Sequence, residues 1–190
     1  RIVLGVQFSR FESQNFYQMD EAFNKIKESG IHNVAIDIPY GLPNQTVSSF
    51  IDDLKRIINL KPNHISVNEF SLEEDNILES QMYVSAISLL KEKGYEHYEL
   101  SNFVLEDNKS QQNLTYWRSK DFYGLGCQAS FKIGNIRKTW TEDVFEYIKG
   151  DYFSEELILD KDDEMFEYLM MNLRLKDGFK LRLPKEAKML

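Results

Sequence analysis

The segment Gln111–Trp117 combines side-chain types that suit the binding of a flat, π-rich ligand. Asn113 and two glutamines supply amides, Tyr116 and Trp117 supply large aromatic rings, and a glycine-containing turn follows at residues 123–126. Aromatic faces stack on such a ligand, and amides fix its orientation through hydrogen bonds. Taken alone, the same residue types more often pack in a core, so their meaning depends on the elements that precede them.

A second group of polar residues follows short apolar runs in the first third of the chain. Gln7, Asp37 and Asn68 each come directly after such a run, which for Asp37 is 34–36. Continuous apolar runs indicate strands buried on both faces of a parallel sheet, and ligands bind at the carboxyl ends of these strands. Two amides and a carboxylate converging there could hold a polar cofactor with an amine and ribose hydroxyls. The alternative is that each residue caps a turn.

Helix-like apolar spacing follows each of the three runs, over residues 16–26, 47–58 and 78–90. Gly30 and Gly94 suit the C-terminal ends of the first and third helices. Strands that alternate with helices predict right-handed crossovers and an α/β sheet or barrel.

The composition limits the class of protein. With 190 residues, of which 42% are hydrophobic, the chain can bury the core of one large or two small domains. Its net charge of −8 argues against non-specific nucleic-acid binding. No apolar run approaches the roughly 20 residues of a membrane helix. The single cysteine suits a reducing cytoplasm, and neither it nor the three scattered histidines show metal-ligand spacing.

Five segments together resemble one family. They are residues 5–7 (GVQ), 36–46 (IDIPYGLPNQT), 64–66 (HIS), 95–103 (YEHYELSNF) and 112–117 (QNLTYW). From about Ile2 to about Leu175, the chain resembles the C-terminal portion of the oxygen-independent coproporphyrinogen III oxidase family of radical S-adenosylmethionine proteins. The last segment resembles the His-Asn-x-x-Tyr-Trp motif of the haem-chaperone branch, so this branch is the nearest.

The resemblance implies a site for S-adenosylmethionine. Gln7 and Asp37 match side chains that contact this cofactor, and the residues from Asn68 to Ser71 match a loop whose backbone lines the adenine pocket. In the full-length protein, the implied cofactors are S-adenosylmethionine and a [4Fe–4S] cluster, with haem as a further ligand.

The resemblance also implies contacts between a tetrapyrrole and Asn113, Tyr116 and Trp117, which match the haem-chaperone motif. Gln112 stands where that motif has histidine, and Ser130 stands where many haem-chaperone relatives have a second one. Because an amide or a hydroxyl ligates haem iron poorly, strong axial ligation from these two positions is not expected.

The family's cluster motif, Cys-x-x-x-Cys-x-x-Cys, has no counterpart in this chain. Cys127 is its only cysteine, and an iron–sulfur cluster needs several thiolates. The chain alone is therefore expected to be inactive in radical chemistry. The first half of the barrel, with the cluster ligands, is expected to be missing from this sequence.

The predicted organisation has two parts. Residues 1–76 are expected to form the second half of a partial (β/α) radical-SAM barrel with parallel strands, and residues 77–190 a smaller α+β region. Within the second part, we predict a strand over 95–100, a strand or hairpin over 131–140, helices over 141–149 and 161–175, and a loop with a first helical turn over the acidic residues 155–164.

Two classes of function remain open at this point. The first is a radical S-adenosylmethionine protein that acts on or carries a tetrapyrrole in porphyrin metabolism, with the cofactor supplying the chemistry. The second is a non-enzymatic ligand-binding or interaction module that has lost the cluster. Cluster cysteines upstream of Arg1 would favour the first class.

Overall fold

The computed structural model describes residues 1–5, 13–70 and 77–180, and for 13–17 and 153–154 it describes the backbone only. The chain divides into two compact units, Arg1–Lys109 and Ser110–Leu190. The boundary expected between residues 76 and 77 separates the half-barrel from the C-terminal region of the family. It stays a prediction, since 71–76 lie outside the described residues. No helix in the described part of the chain is long and apolar enough to cross a membrane.

The first unit is an α/β layer with a mixed five-stranded sheet. Its elements are β1 (Ile2–Gly5), α1 (Ser13–Glu28), β2 (Val34–Tyr40), α2 (Val47–Asn59), β3 (His64–Glu69), α3 (Ile77–Glu92), β4 (Glu96–His97) and β5 (Asn102–Val104). The strand order is β1-β2-β3-β5-β4. The first three strands are parallel, as predicted, whereas β5 runs antiparallel to both β3 and β4. The strand predicted over 95–100 is reduced to β4, and β5 is an additional strand.

The second helix shows how the sequence sets an element boundary. Thr46 is its N-cap: the Thr46 side chain accepts a hydrogen bond from the Ser49 backbone, and the Ser49 side chain accepts one from the Thr46 backbone. Such a cap contributes about 1 kcal/mol. On the buried face of α2, Phe50, Leu54 and Ile57 are fully covered, so the capped helix is held against the sheet.

The two faces of the sheet differ in chemistry. Ile36, Ile65 and Phe103 lie in the core cluster, together with buried residues of the three helices. Side chains alternate along each strand, so the opposite face carries Asp37 and its cross-strand partner Ser66, and Asn102, which pairs with Ser66. The helices cover one face, and the other bears a row of polar residues.

The position of Asp37 differs from the prediction. We expected it at the carboxyl end of a strand, but β2 continues to Tyr40, and Asp37 lies in its middle. The strand extends because its parallel register with β3 continues through Pro39 opposite Asn68 to Tyr40 opposite Glu69. Asp37 is therefore held by backbone pairing on both sides, with Gly5 and with Ser66.

In its described residues, 110–180, the second unit contains a three-stranded antiparallel sheet and three helices. Its elements are α4 (Gln111–Trp117), β6 (Ser130–Ile133), β7 (Ile136–Trp140), α5 (Val144–Lys149), β8 (Phe153–Ile158) and α6 (Lys161–Asn172), with the strand order β6-β7-β8. The predicted hairpin is confirmed: β6 and β7 pair from Ser130 with Thr139 to Ile133 with Ile136, and Gly134 takes a positive φ in the turn.

The acidic segment after Gly150 was wrongly assigned to a loop. Its first half forms β8, in which Glu156 pairs with Lys138 of β7 and their side chains form an ion pair of 2.5 Å. Opposite charges on cross-strand neighbours stabilise such a pairing. The second half of the segment behaves as predicted, because Asp160 caps α6 and forms a capping box with Asp163.

Candidate functional site

Asp37 is the centre of the first candidate site, on the polar face of the mixed sheet. Its carboxyl is half-buried beside the hydroxyl of Ser66, which donates a hydrogen bond to it. Burial raises the pKa of Asp37 above its usual value, and the hydrogen bond from Ser66 offsets part of this rise. The carboxyl keeps further acceptor capacity, so it can bind a hydroxyl or an amine of a ligand.

Of the other three residues predicted for this site, the structure describes only Asn68. It is exposed near the end of β3, two residues beyond Ser66, so that it lies on the same face as Asp37. Gln7 and Ser71 lie outside the described residues. The structure thus brings Asp37 and Asn68 to one face of neighbouring strands, and the convergence of all four residues stays a prediction.

Sequence reasoning missed the buried polar residues that continue this face. His64 lies in β3 with 2% of its surface exposed, and its Nε2 is 2.9 Å from the Tyr98 hydroxyl. Within the described part of the chain, no hydrogen-bond partner reaches His64 Nδ1 or Asn102 Oδ1, although both atoms are buried. A histidine and an asparagine at the ends of buried apolar strands were the available signals.

Burial controls the protonation of His64. It lowers the pKa of His64 to about 4, and the nearby positive charge of Arg1 adds to this effect. The imidazole is therefore neutral at physiological pH and offers one ring nitrogen as donor and the other as acceptor.

The second candidate site contains the aromatic–amide segment, which forms the short helix α4. Ser110 caps this helix by accepting a hydrogen bond of 3.3 Å from the Asn113 backbone. The ring of Tyr116 meets Phe122 edge to face at 4.6 Å, and the guanidinium of Arg174 lies 4.6 Å from the centre of the Trp117 ring. Neighbours within the second unit thus hold both aromatic rings in fixed orientations.

A cavity of about 360 Å³ lies beside α4, entirely within the second unit. Its lining residues come from α4, the loop that follows, the hairpin β6–β7 and α6: Tyr116, Trp117, Ser119, Lys120, Phe122, Ser130, Lys132, Arg137, Glu167 and Met171. The fold therefore brings together Tyr116, Trp117 and Ser130, whereas Asn113 and Gln112 are not among the lining residues. Gln112 instead donates a hydrogen bond to the Tyr116 hydroxyl at 3.0 Å.

One wall of this cavity carries buried charges. Glu167 accepts hydrogen bonds from Lys132 Nζ at 2.5 Å and from Arg137 Nε at 2.8 Å, one at each carboxylate oxygen. Burial alone would raise the pKa of Glu167, but the two hydrogen bonds and the two positive charges outweigh it and hold the pKa below its usual value. Glu167 is therefore ionised at neutral pH. Glu167 is 35 positions from Lys132 and 30 positions from Arg137 along the chain, so no local sequence pattern could reveal this cluster.

The glycine turn that follows α4 packs against Trp140, which donates a hydrogen bond of 2.6 Å from Nε1 to the Gly124 carbonyl. Trp117 Nε1, in contrast, is buried without a hydrogen-bond partner among the described residues.

The described residues do not fit an iron–sulfur cluster. The Cys127 thiol donates to the backbone carbonyls of Thr141 at 3.0 Å and Glu142 at 2.9 Å. Residues 1–5, 13–70 and 77–180 contain no group of three or more His, Cys, Asp or Glu side chains that could hold a metal ion. Because a cluster needs several thiolates, no step of cluster chemistry is assigned to this chain.

The chain is similar in sequence to several curated proteins named heme chaperone HemW. It is 32% identical to that of Haemophilus influenzae over 202 residues, 29% identical to that of Lactococcus lactis over 180 residues and 29% identical to that of Escherichia coli over 166 residues. These alignments cover 94%, 85% and 78% of this chain, but only 53%, 48% and 44% of the relatives. No protein-family model matches the chain. The chain spans about half the length of the curated relatives it matches.

The fold is similar to that of a solved structure, the coproporphyrinogen III oxidase HemN from Escherichia coli, described as a radical SAM enzyme. The TM-score is 0.70 at 20% sequence identity, over 91% of this chain and 49% of that one. At this identity the likeness concerns the fold: an α/β architecture with a mixed sheet.

Proposed function

Over the part that it spans, the chain belongs to the family of the heme chaperones HemW, and on this premise we propose that it is part of a radical S-adenosylmethionine protein that acts on or carries a tetrapyrrole in haem metabolism. The observation that carries this proposal is the cavity beside α4. Tyr116 and Trp117, the aromatic residues of the motif, both line it. Large aromatic side chains in the wall of a cavity suit contact with a flat ligand.

The first unit supplies the proposed S-adenosylmethionine site. Its helices cover one face of the sheet, and the polar face with Asp37 and Ser66 would be the interior of a partial (β/α) barrel completed by residues outside this chain. Asp37 would accept hydrogen bonds from the ligand, and Asn68, with Gln7 and Ser71, would contribute to the same pocket. S-adenosylmethionine would supply radical chemistry when it is bound beside a cluster; the role of this chain is to bind and orient it.

The cluster itself would belong to a part of the protein beyond this sequence, because the residues described here do not fit it. The alternative function, a ligand-binding module without radical chemistry, is favoured by one observation. The cavity and its aromatic and charged walls are complete within the second unit, whose only cysteine is bound to backbone carbonyls. Ligand binding there needs no cluster.

A haem titration tests the proposed tetrapyrrole site. The full chain, its Trp117→Ala variant and a control variant, Phe145→Ala, which changes an exposed aromatic residue, are titrated with haem while the Soret band is followed. We expect binding without a histidine-type spectrum, weakened by Trp117→Ala and unchanged by Phe145→Ala. A tight histidine-type spectrum that survives Trp117→Ala would place the ligand elsewhere.

The same titration after anaerobic reconstitution separates the two classes of function. Iron and sulfide are measured in this chain alone and in the protein that contains the upstream region. If only the longer protein binds them in the ratio of a cluster, the result supports the radical S-adenosylmethionine protein. Haem binding by a protein whose upstream region holds no cluster would support the carrier without radical chemistry.

A further inference from the structure

The cavity beside α4 has two walls of different chemistry. One is aromatic and consists of Tyr116, Trp117 and Phe122; the other is charged and consists of Lys132, Arg137 and Glu167. A ligand that fits both walls needs a flat apolar body and a charged or strongly polar group. The side chains therefore specify the ligand more narrowly than the aromatic motif alone.

The charges around the cavity do not cancel. Three lining residues are cationic, Lys120, Lys132 and Arg137, whereas Glu167 is the one acidic residue among them. Both oxygens of Glu167 are already bound by Lys132 and Arg137. The lining thus keeps an excess of two positive charges, and this excess favours an anionic group on the ligand.

Donors are also present for such an anion. Arg137 uses Nε to bind Glu167, so its two terminal amino groups remain as a fork that suits a carboxylate. Its side chain keeps 34% of its surface exposed, in contrast to 9% for Lys132, so a ligand can reach it. The buried Nε1 of Trp117 is a further donor, and no described residue accepts from it.

The size of the cavity limits how much of a ligand can enter. Its volume of about 360 Å³ is near the lower end of the roughly 300–1,000 Å³ of ligand pockets. It can hold a carboxylate arm and one edge of an aromatic system, and the remainder of a large macrocycle would lie outside.

From these observations we propose that the cavity is a carboxylate-binding site in which Arg137 anchors the acid group and Tyr116 and Trp117 contact the attached planar ring. This inference rests on the proposed tetrapyrrole role, for which the acid group is a propionate side chain of the macrocycle. The same chemistry could come from a small free aromatic carboxylate, and the experiment separates the two sources.

The test compares a porphyrin dicarboxylate with its dimethyl ester, using the full chain and following porphyrin absorbance and tryptophan fluorescence. Loss of a hydrogen bond to a charged group costs about 1.5–3 kcal/mol, so we expect the acid to bind the wild-type chain at least about tenfold more tightly than the ester. In Arg137→Gln this preference should disappear. Because the acid and the ester are compared on the wild-type chain, this result does not depend on whether the Arg137→Gln variant folds.

The matched control is Lys138→Gln. Lys138 is the next residue of β7 and pairs with Glu156 of β8 instead of lining the cavity. Its substitution should therefore change neither the affinity for the porphyrin acid nor that for the ester. Equal binding of acid and ester, with no effect of Arg137→Gln, would overturn the carboxylate site while leaving tetrapyrrole binding intact.

A third arm uses 2-naphthoate, a small aromatic carboxylate. Displacement of the porphyrin acid by 2-naphthoate, lost in Arg137→Gln, would support the site. Binding of 2-naphthoate without any binding of porphyrin would support the carboxylate site and overturn the proposed tetrapyrrole function. If none of the three ligands binds, both are overturned.

Discussion

His64 Nε2 lies 2.9 Å from the hydroxyl of Tyr98, and both side chains are buried against the polar face of the mixed sheet. This pair ties β3 to the turn between β4 and β5. Because burial lowers the pKa of His64 to about 4, the pair also makes the stability of the first unit depend on pH.

We predict that the stabilisation from neutral His64 is lost on acidification. The folded chain binds the His64 proton less tightly than the unfolded chain, whose imidazole has a pKa near 6.5. The stabilisation is therefore complete above pH 6.5 and is lost as the pH falls toward 4, by up to roughly 3 kcal/mol.

Asp53 has the opposite effect. Burial raises the pKa of Asp53 to about 6, so this residue stabilises the folded state at low pH, and the stabilisation is lost as the pH rises through 6.

The measurement compares urea unfolding of the wild-type chain and His64→Gln between pH 7.5 and 4. Asp53 titrates in both proteins, so its contribution cancels in the difference. The advantage of the wild type should shrink with falling pH. An NMR titration in which the His64 ring protonates near pH 6.5 would contradict this account.

The buried charges of the second unit give a second prediction. Glu167→Gln removes the carboxylate that binds both Lys132 and Arg137, and it leaves Lys132 buried without its counter-charge. Breaking a buried ion pair from one side costs about 3–5 kcal/mol. We therefore expect a loss of this size in the free energy of unfolding. Because the pKa of Glu167 is held below its usual 4.5, the stabilisation is present above that value and is lost as the pH falls through the lowered pKa.

Double variants provide the control. Glu167→Leu combined with Lys132→Met replaces the pair by apolar side chains of similar volume and should cost less than Glu167→Gln alone. Urea unfolding at pH 7 measures both values. A double variant that is less stable than Glu167→Gln would rule out the counter-charge explanation.

The local sequence predicted most of the regular structure. Buried runs and helix-spaced apolar residues located the three strand–helix units, because both patterns arise from neighbouring residues. Gly134 and its neighbours located the β6–β7 hairpin for the same reason. The predicted ends of the strands were less accurate. β2 includes Asp37 and continues to Tyr40 because it pairs with β3, and the apolar run 34–36 does not reveal this pairing.

Features that depend on distant partners were not predicted. The strand β8 pairs with β7, and in this pairing its acidic residue Glu156 faces Lys138. The charged wall of the cavity requires Lys132 and Glu167, which are 35 positions apart, to meet in the folded chain. In a chain with 28% charged residues, no spacing distinguishes these two from exposed charges. Two residues of the aromatic wall, Tyr116 and Trp117, were predictable because they are adjacent in the sequence.

A third prediction concerns the glycine turn that follows α4. A Cβ added to Gly124 would lie 2.2 Å from the Ser130 backbone oxygen, and backbone cannot move aside easily. Gly124→Ala should therefore destabilise the second unit by at least about 2 kcal/mol and weaken the hydrogen bond from Trp140 to the Gly124 carbonyl. Urea unfolding, followed by tryptophan fluorescence, measures both effects.

The matched control for this turn is Gly126→Ala. Gly126 has a φ of +105° with nothing within 4 Å of an added Cβ, so its substitution adds backbone strain without a steric clash and should cost about 1 kcal/mol. Equal losses in the two variants would show that backbone conformation, and not the Ser130 contact, determines the stability of the turn.

The last prediction concerns Asp37 and the proposed S-adenosylmethionine site. Asp37 is half-buried and hydrogen-bonded to Ser66, so its carboxylate is held in place before a ligand arrives. In the full-length, cluster-loaded protein, Asp37→Ala should remove one charged hydrogen bond, worth roughly 1.5–3 kcal/mol, and so weaken binding by at least about tenfold. Asp52→Ala, which changes an exposed carboxylate paired with Lys55 on α2, should have no effect. Equilibrium dialysis with labelled S-adenosylmethionine measures both variants, and a change of less than about twofold for Asp37→Ala would count against its role.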